Sequence, residues 1–322
     1  RAALDMILAG KAERAVKARK LGITDELVHP AILLEVARRA AARLAQDGPS
    51  VRASTRGIAG MLLDGTAPGR ALVYHLARKQ VRSKTGGHYP APLAALDTVR
   101  VSLSRGMEAG LACEALRFGE LAVTEVSRNL VGIFFATTAL KKDDGVPVGA
   151  AGALTPVTRI GVVGAGFMGA GIAGTAALNA QVEVRMRDAD LPRVGKGLRT
   201  ATAILDERLK RKRLTRPEHQ RLAALISGTA DASGFGTAGL VIEAVFEDLE
   251  VKRALFSELD SIVKDGAILA TNTSTLPVIE MAVATQRADR VCGVHFFNPA
   301  PAMSLVEIVR PLTASDDTIA AA

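Results

Sequence analysis

Apolar residues recur at helical spacing through roughly the first 47 positions, with Ile32, Leu33, Val36 and Leu44 on one face of a segment over 31–45. Pro30 suits the first turn of that helix, where its missing N–H costs little. Residues 46–69, richer in Gly, Pro, Ser and Thr, read as a connection, and 72–82 as a short helix. Two Gly and two Pro within 83–92 (SKTGGHYPAP) require a loop, and 93–140 returns to a helical pattern. Residues 141–158 mix charge, Gly, Ala and Pro without periodicity, which places a domain boundary there. Beyond it, short β-branched runs at 159–163, 182–186, 240–244, 267–270, 291–296 and 305–309 alternate with amphipathic helical stretches. That alternation predicts βαβ units. The expected fold class is α/β: a mostly parallel sheet with helices on both faces over 157–322, preceded by a mainly α-helical region over 1–150.

Composition narrows the function. With 48% hydrophobic and 23% charged residues the chain reads as a soluble α/β protein. Aromatic residues are only 3% and Trp is absent, which argues against base stacking. The net charge of +8 suits a polyanionic ligand, but the Lys and Arg residues are dispersed over segments such as Arg38-Arg39 and Lys210–Arg213, which read as solvated helix faces. A nucleic-acid role therefore rests on charge alone. The two cysteines, Cys113 and Cys292, have no CxxC spacing, which points to a reducing, cytoplasmic setting with no disulfide frame and no thiolate metal site. No apolar run reaches the ~18–20 residues of a membrane span, and no signal peptide is evident. The first residue is Arg1 and both ends fall inside helical patterns, so the chain reads as a fragment of something longer.

The sequence RIGVVGAGFMGAGIAG opens the second region as strand, tight turn and helix. Gly164, Gly166 and Gly169 form a G-x-G-x-x-G motif: the first allows the turn, the second lets backbone approach a pyrophosphate, and the third permits close helix–strand packing. Phosphates then sit at the N-terminus of the helix beginning near Phe167, where free N–H groups and the helix dipole favour negative charge. The next strand runs to Asp188, 19 residues after Gly169, where an acid that binds a ribose hydroxyl and repels a 2′-phosphate belongs. This is a Rossmann unit, and Asp188 favours NAD over NADP. Arg185 and Arg187 flank it and are the residue type that receives a phosphate; strand alternation puts both on the face opposite Met186 and Asp188.

A second group lies in VCGVHFFNPAPAMSLVEIVR, residues 291–310. His295 ends one apolar strand and Glu307 follows twelve residues later in the next, so a strand–loop–strand excursion can bring both into one cleft. Imidazole is the usual base for a hydroxyl proton near neutral pH, and a carboxylate on its other nitrogen fixes the tautomer. On spacing alone, a histidine satisfied within the core or a loop and a glutamate on a strand face is the commoner reading of the pattern.

The segments TNTSTLPVIE (271–280) and HFFNPxxxMxLVEI (295–308) resemble the signature of the 3-hydroxyacyl-CoA dehydrogenase family. More closely, the chain is similar nearly throughout to the alpha subunits of bacterial fatty-acid oxidation complexes, which join enoyl-CoA hydratase/isomerase to that dehydrogenase. AALDMILAGK (2–11) resembles the hydratase segment after its catalytic core, and GGHYPAP (86–92) and LVGIF (130–134) the helices leading into the dehydrogenase. The resemblance implies His295 as general base, Glu307 as its orienting partner, and Ser274 and Asn298 at the reacting end of the substrate. It also implies Glu247 and Lys252 along the cofactor and Met168 within the phosphate turn. Taken without the family, Ser274 reads as a helix N-cap and Lys252 as an exposed helix charge. Where relatives carry Asn-Asp after LVGIF, this chain has Ala136-Thr137. The family's further pocket Asn lies about fifty residues past the base histidine in a helical domain, whereas this chain ends 27 residues after His295.

The resemblance implies NAD-dependent oxidation of (3S)-3-hydroxyacyl-CoA in fatty-acid β-oxidation, beside a hydratase/isomerase remnant and with a thiolase β subunit as partner in the full-length complex. Two alternatives stay open. One is a truncated chain that binds NAD without efficient turnover, and the other a 3-hydroxybutyryl-CoA dehydrogenase joined to an unrelated helical partner.

Overall fold

The computed structural model describes residues 2–10, 12–48, 58–152 and 154–322. The chain divides into two compact units, 1–138 and 139–322. The first is helical: α1 (Ala2–Ala9), α2 (Ala15–Leu21), α3 (Leu33–Asp47), α4 (Ile58–Gly65), α5 (Ala67–Thr85), α6 (Ala91–Arg105), α7 (Met107–Ala122) and α8 (Glu125–Leu140, whose last two residues fall past the division). Of the connection expected over 46–69, residues 49–57 lie outside the described residues, and α4 occupies part of the rest. The helical stretch expected over 93–140 is three helices. Gly106, at φ 92°, separates α6 from α7, and the Thr124 hydroxyl caps α8 by accepting from the Ser127 N–H. No helix among the described residues is long and apolar enough to cross a membrane.

The second unit holds β1 (Arg159–Val163), α9 (Phe167–Thr175), β2 (Glu183–Arg187), α10 (Leu191–Lys210), α11 (Arg216–Ala223), β3 (Ile226–Thr229), β4 (Leu240–Glu243), α12 (Leu249–Ile262), β5 (Ile268–Thr271), α13 (Val278–Ala282), β6 (Val291–Phe296), β7 (Val306–Val309) and α14 (Asp316–Ala321). They form one sheet in the order β3-β2-β1-β4-β5-β6-β7. All neighbours are parallel except β7, which returns antiparallel to β6. The six strands read from the sequence are present within a residue or two at their ends. The seventh, β3, was illegible because ISGT offers one large apolar residue, and an edge strand needs no apolar run.

Alternation along the strands feeds two cores. Ile160, Val162, Leu240, Ile242, Ile268 and Ala270 pack with α9 and α10 on one face. Val163, Val241 and Leu269 pack with Phe256 and Leu259 of α12 and Met281 of α13 on the other. Burial on both faces is why β1, β4 and β5 read as continuous apolar runs. The chain reverses its winding between β1 and β4, and the crevice at their carboxyl ends is where an open α/β sheet binds its ligand.

Candidate functional site

The glycine turn sits in that crevice. Gly164 has φ +102°, and a Cβ there would lie 2.4 Å from the Ala244 carbonyl oxygen, so only glycine fits. Its N–H donates to the Arg187 carbonyl at 2.8 Å, tying the turn to β2. A Cβ on Gly169 would lie 1.8 Å from the Gly164 carbonyl oxygen, which is the close helix–strand approach expected of the third glycine. Gly166 differs: a Cβ there would meet nothing within 4 Å, so the space beside it is open for a ligand. Asp188 lies alongside, with Oδ2 accepting from the Ala165 N–H and Oδ1 from the Ala189 N–H, both at 2.7 Å. A cleft of about 1040 Å³ joins Gly164, Gly166, Met168 and Asp188 to the opposite wall at Val245, Ala254 and Leu255. An open backbone position at a helix N-terminus, a ribose-type acid and an apolar slot fit a dinucleotide.

The arginines flanking Asp188 separate. Arg185 donates from Nε to the Ser233 carbonyl at 3.1 Å. Arg187 lines the same cleft as Asp188, contrary to the strict alternation drawn from the sequence, because Asp188 lies just past the last residue of β2.

Lys252 corrects the sequence reading most sharply. It sits in the first turn of α12, which Asp248 caps by accepting from the Val251 N–H, and it is 1% exposed rather than a surface charge. Its Nζ lies 2.7 and 2.9 Å from the two carboxylate oxygens of Glu243, itself 0% exposed at the end of β4, and 3.1 Å from Glu247. Glu243 also accepts from the Val245 N–H and the Thr271 hydroxyl, each at 2.7 Å. Both charges are thus buried but hydrogen-bonded, the condition under which a buried pair is tolerated. Burial raises the Glu247 pKa, but hydrogen bonds from the Thr273 hydroxyl and Lys252, the Lys252 charge and the Ser274 N–H outweigh it and hold the carboxyl below its ordinary value.

That network reaches the second group of residues. Ser274 is exposed in the turn after β5 and is not a helix cap, because α13 starts at Val278 with Pro277 before it. Thr273 organises the turn instead, its hydroxyl accepting from the Thr275 and Leu276 N–H groups. Asn272 accepts from the Phe296 N–H at 2.8 Å, fastening this turn to the end of β6 beside His295. His295 and Glu307 are directly opposite partners across β6 and β7, with Nδ1 and Oε2 2.8 Å apart. Asn298, three residues past His295, is exposed at the same end of the sheet. Glu243, Thr271, Thr273 and Asn272 were missed from sequence, although an acid closing the run LVIE and polar residues throughout TNTST are visible signals. Among the described residues no group of three or more His, Cys, Asp or Glu stands placed to hold a metal ion.

A parallel sheet in this order, its glycine turn and a ribose-type acid define a Rossmann dinucleotide-binding domain, here with a histidine–carboxylate pair at the sheet's carboxyl edge. The profile of the family described as 3-hydroxyacyl-CoA dehydrogenase, NAD binding domain, matches residues 159–322. The chain belongs to that family, and its second unit is an NAD-binding domain. It is 41% identical over 319 residues to the fatty acid oxidation complex subunit alpha of Vibrio cholerae, covering 99% of this chain and 44% of that one. The corresponding subunit of Shewanella amazonensis is 39% identical over 321 residues, with the same two coverages. The chain thus spans under half the length, 44%, of these curated relatives. Among solved structures, FadB2 of M. tuberculosis is 40% identical with a TM-score of 0.50, covering 52% of this chain and 59% of that one. A (S)-3-hydroxybutyryl-CoA dehydrogenase from Ralstonia eutropha is 39% identical with a TM-score of 0.50, covering 51% and 58%.

Proposed function

We propose that this chain carries the NAD-binding and catalytic-base part of an L-3-hydroxyacyl-CoA dehydrogenase, which oxidises (3S)-3-hydroxyacyl-CoA to 3-ketoacyl-CoA in fatty-acid β-oxidation. The observation that carries the reading is the 2.8 Å contact between His295 Nδ1 and Glu307 Oε2 at the end of the sheet that holds the glycine turn. An ionised carboxylate only accepts, so this contact keeps the proton on Nδ1 and leaves Nε2 as the acceptor for the substrate's hydroxyl proton. As that proton moves to Nε2, Glu307 stabilises the imidazolium and the C3–O bond becomes a carbonyl. NAD, if held against Gly164, Gly166, Met168 and Asp188 in the cleft, would supply the acceptor for the hydride that leaves C3. Ser274 and Asn298, both exposed at this end, are the donors we assign to the substrate's 3-oxygen. We assign Glu247 to the cofactor side of the pocket, with the buried Lys252 acting through it by their 3.1 Å ion pair, and Met168, Gly164, Gly166, Gly169 and Asp188 to the phosphates and ribose.

The match to the oxidation-complex subunits covers the helical unit as well, which favours their layout over a hydroxybutyryl-CoA dehydrogenase with an unrelated partner. On that basis we assign residues 1–150 to a hydratase/isomerase remnant with connecting helices and 157–322 to the dehydrogenase. We also assign a thiolase β subunit as partner, and a cytoplasmic setting in keeping with the two free cysteines. A second reading, NAD binding without efficient turnover, is favoured by the exposure of Ser274, Asn298 and the apolar β7 residues Val306, Ile308 and Val309.

NADH titration beside an acetoacetyl-CoA reduction assay tests both. His295→Gln should abolish reduction while NADH still binds, and normal turnover by that variant refutes the base assignment. NADH binding by the unaltered chain with no reduction supports the second reading.

A further inference from the structure

Asp188 excludes a 2′-phosphate by charge, yet Arg187, immediately before it, is the residue type that recruits one. Arg187 lines the same cleft as Asp188, with its side chain 20% exposed. Its Nη2 lies 2.8 Å from Oε1 of Glu258 on α12, across the cleft wall. Its Nη1 is buried and has no hydrogen-bond partner among the described residues. The side-chain anchoring of this guanidinium therefore comes from one carboxylate. Glu258 also lines the cleft, with its side chain 43% exposed, so it is replaceable without opening the core.

We propose that Glu258 determines dinucleotide specificity by engaging Arg187 and withholding it from a 2′-phosphate, adding a second carboxylate to the discrimination exerted by Asp188. The inference rests on the assignment of this cleft to NAD. The guanidinium fork matches phosphate geometry, and an arginine with one satisfied end gains by turning towards any anion within reach. While Glu258 is ionised, a 2′-phosphate must compete with an ion pair already formed. With Glu258 neutral, the half-satisfied guanidinium is best served by turning into the cleft, where water or phosphate meets it.

The test compares NADH and NADPH dissociation constants, read from cofactor fluorescence in a chain that has no Trp. The proteins are the unaltered chain, Arg187→Met, Asp188→Ser, Asp188→Ser/Glu258→Gln, and that double variant carrying Arg187→Met. Asp188→Ser should narrow the preference for NADH. Adding Glu258→Gln should narrow it by about a further tenfold, the worth of one charge-assisted hydrogen bond. Adding Arg187→Met should abolish that further gain. Arg187→Met alone should leave the NADPH-to-NADH ratio unchanged, because Arg187 is already engaged.

The proposal is overturned if Glu258→Gln adds nothing to Asp188→Ser, or if the gain survives Arg187→Met. The second result transfers the effect to Arg193, which lies 3.9 Å from Asp188. A weaker NADPH ratio in Arg187→Met alone also overturns it, independently of how the Glu258 variants behave. An unaltered chain that binds neither dinucleotide sinks the cleft assignment and the proposal together. One that binds NADH while Glu258→Gln, added to Asp188→Ser, leaves the ratio unmoved sinks the proposal alone.

Discussion

Lys252→Met separates a buried structural charge from a surface one. Lys252 is 1% exposed and spans Glu243 and Glu247, and Glu243 has no exposed surface. Methionine keeps the unbranched stem and removes the ammonium, so packing is largely retained while Glu243 becomes an unpaired carboxylate away from water. Removing one partner of a buried pair costs about 3–5 kcal/mol. For a unit of this size, at about 2–4 °C per kcal/mol, that corresponds to a fall of roughly 6–20 °C in melting temperature. Far-UV circular dichroism is the appropriate probe, since the chain has no Trp and only two Tyr. Glu243→Gln in the same background should recover most of the loss. Glutamine still accepts from Val245 and can donate to the Thr271 hydroxyl, and no unpaired charge remains. If Lys252→Met shifts the melt by less than about 1 kcal/mol, the charges are solvated and the buried-pair reasoning fails. A double variant as unstable as the single one refutes the explanation in terms of unpaired charge.

Glu247 should confer acid sensitivity. A carboxyl held below its ordinary value stabilises the fold fully above its unfolded pKa, and that contribution is lost as pH falls through the lower, folded value. Urea titrations stepped down from about pH 4.3 should show this loss, with a shallower slope in Thr273→Val and a normal one in Thr273→Ser; identical slopes in all three refute it. The glycines should divide by role. Gly169→Ala drives a Cβ to 1.8 Å of a carbonyl oxygen and should destabilise by about 1–3 kcal/mol or more. Gly166→Ala meets nothing within 4 Å and should keep the melt while weakening NADH binding. A Gly166→Ala variant that binds NADH normally removes that glycine from the cofactor's path.

The sheet was legible because most of its strands are buried on both faces and therefore apolar without interruption, as in LVIE and ILAT. Where that condition fails, sequence reading failed with it. β3 packs as an edge and reads as polar, and the helical stretch over 93–140 hid its breaks because Gly106 and Thr124 interrupt the backbone without interrupting the apolar pattern. The glycine turn was legible for a different reason. Its first and third glycines are fixed by backbone contacts that no side chain can share, so the motif carries geometry directly.

Pairing is what the sequence concealed. His295 and Glu307 stand twelve residues apart, and nothing in that spacing distinguishes a cross-strand pair from two unrelated side chains until β7 is seen to return antiparallel in register. Lys252 looked like a surface charge because helix periodicity counts an ammonium as polar. The structure instead aims it at an acid nine residues earlier, on the strand beneath. A charged residue is buried only with its partner, so the sign of such a site lies in two residues together: an acid ending an otherwise apolar strand and a base in the first turn of the next helix. The same logic relates Arg187 to Glu258. An arginine beside Asp188 argues for NADP when read alone, and only the structure shows the carboxylate of Glu258 2.8 Å from its guanidinium, the contact on which the proposed second check on cofactor choice rests.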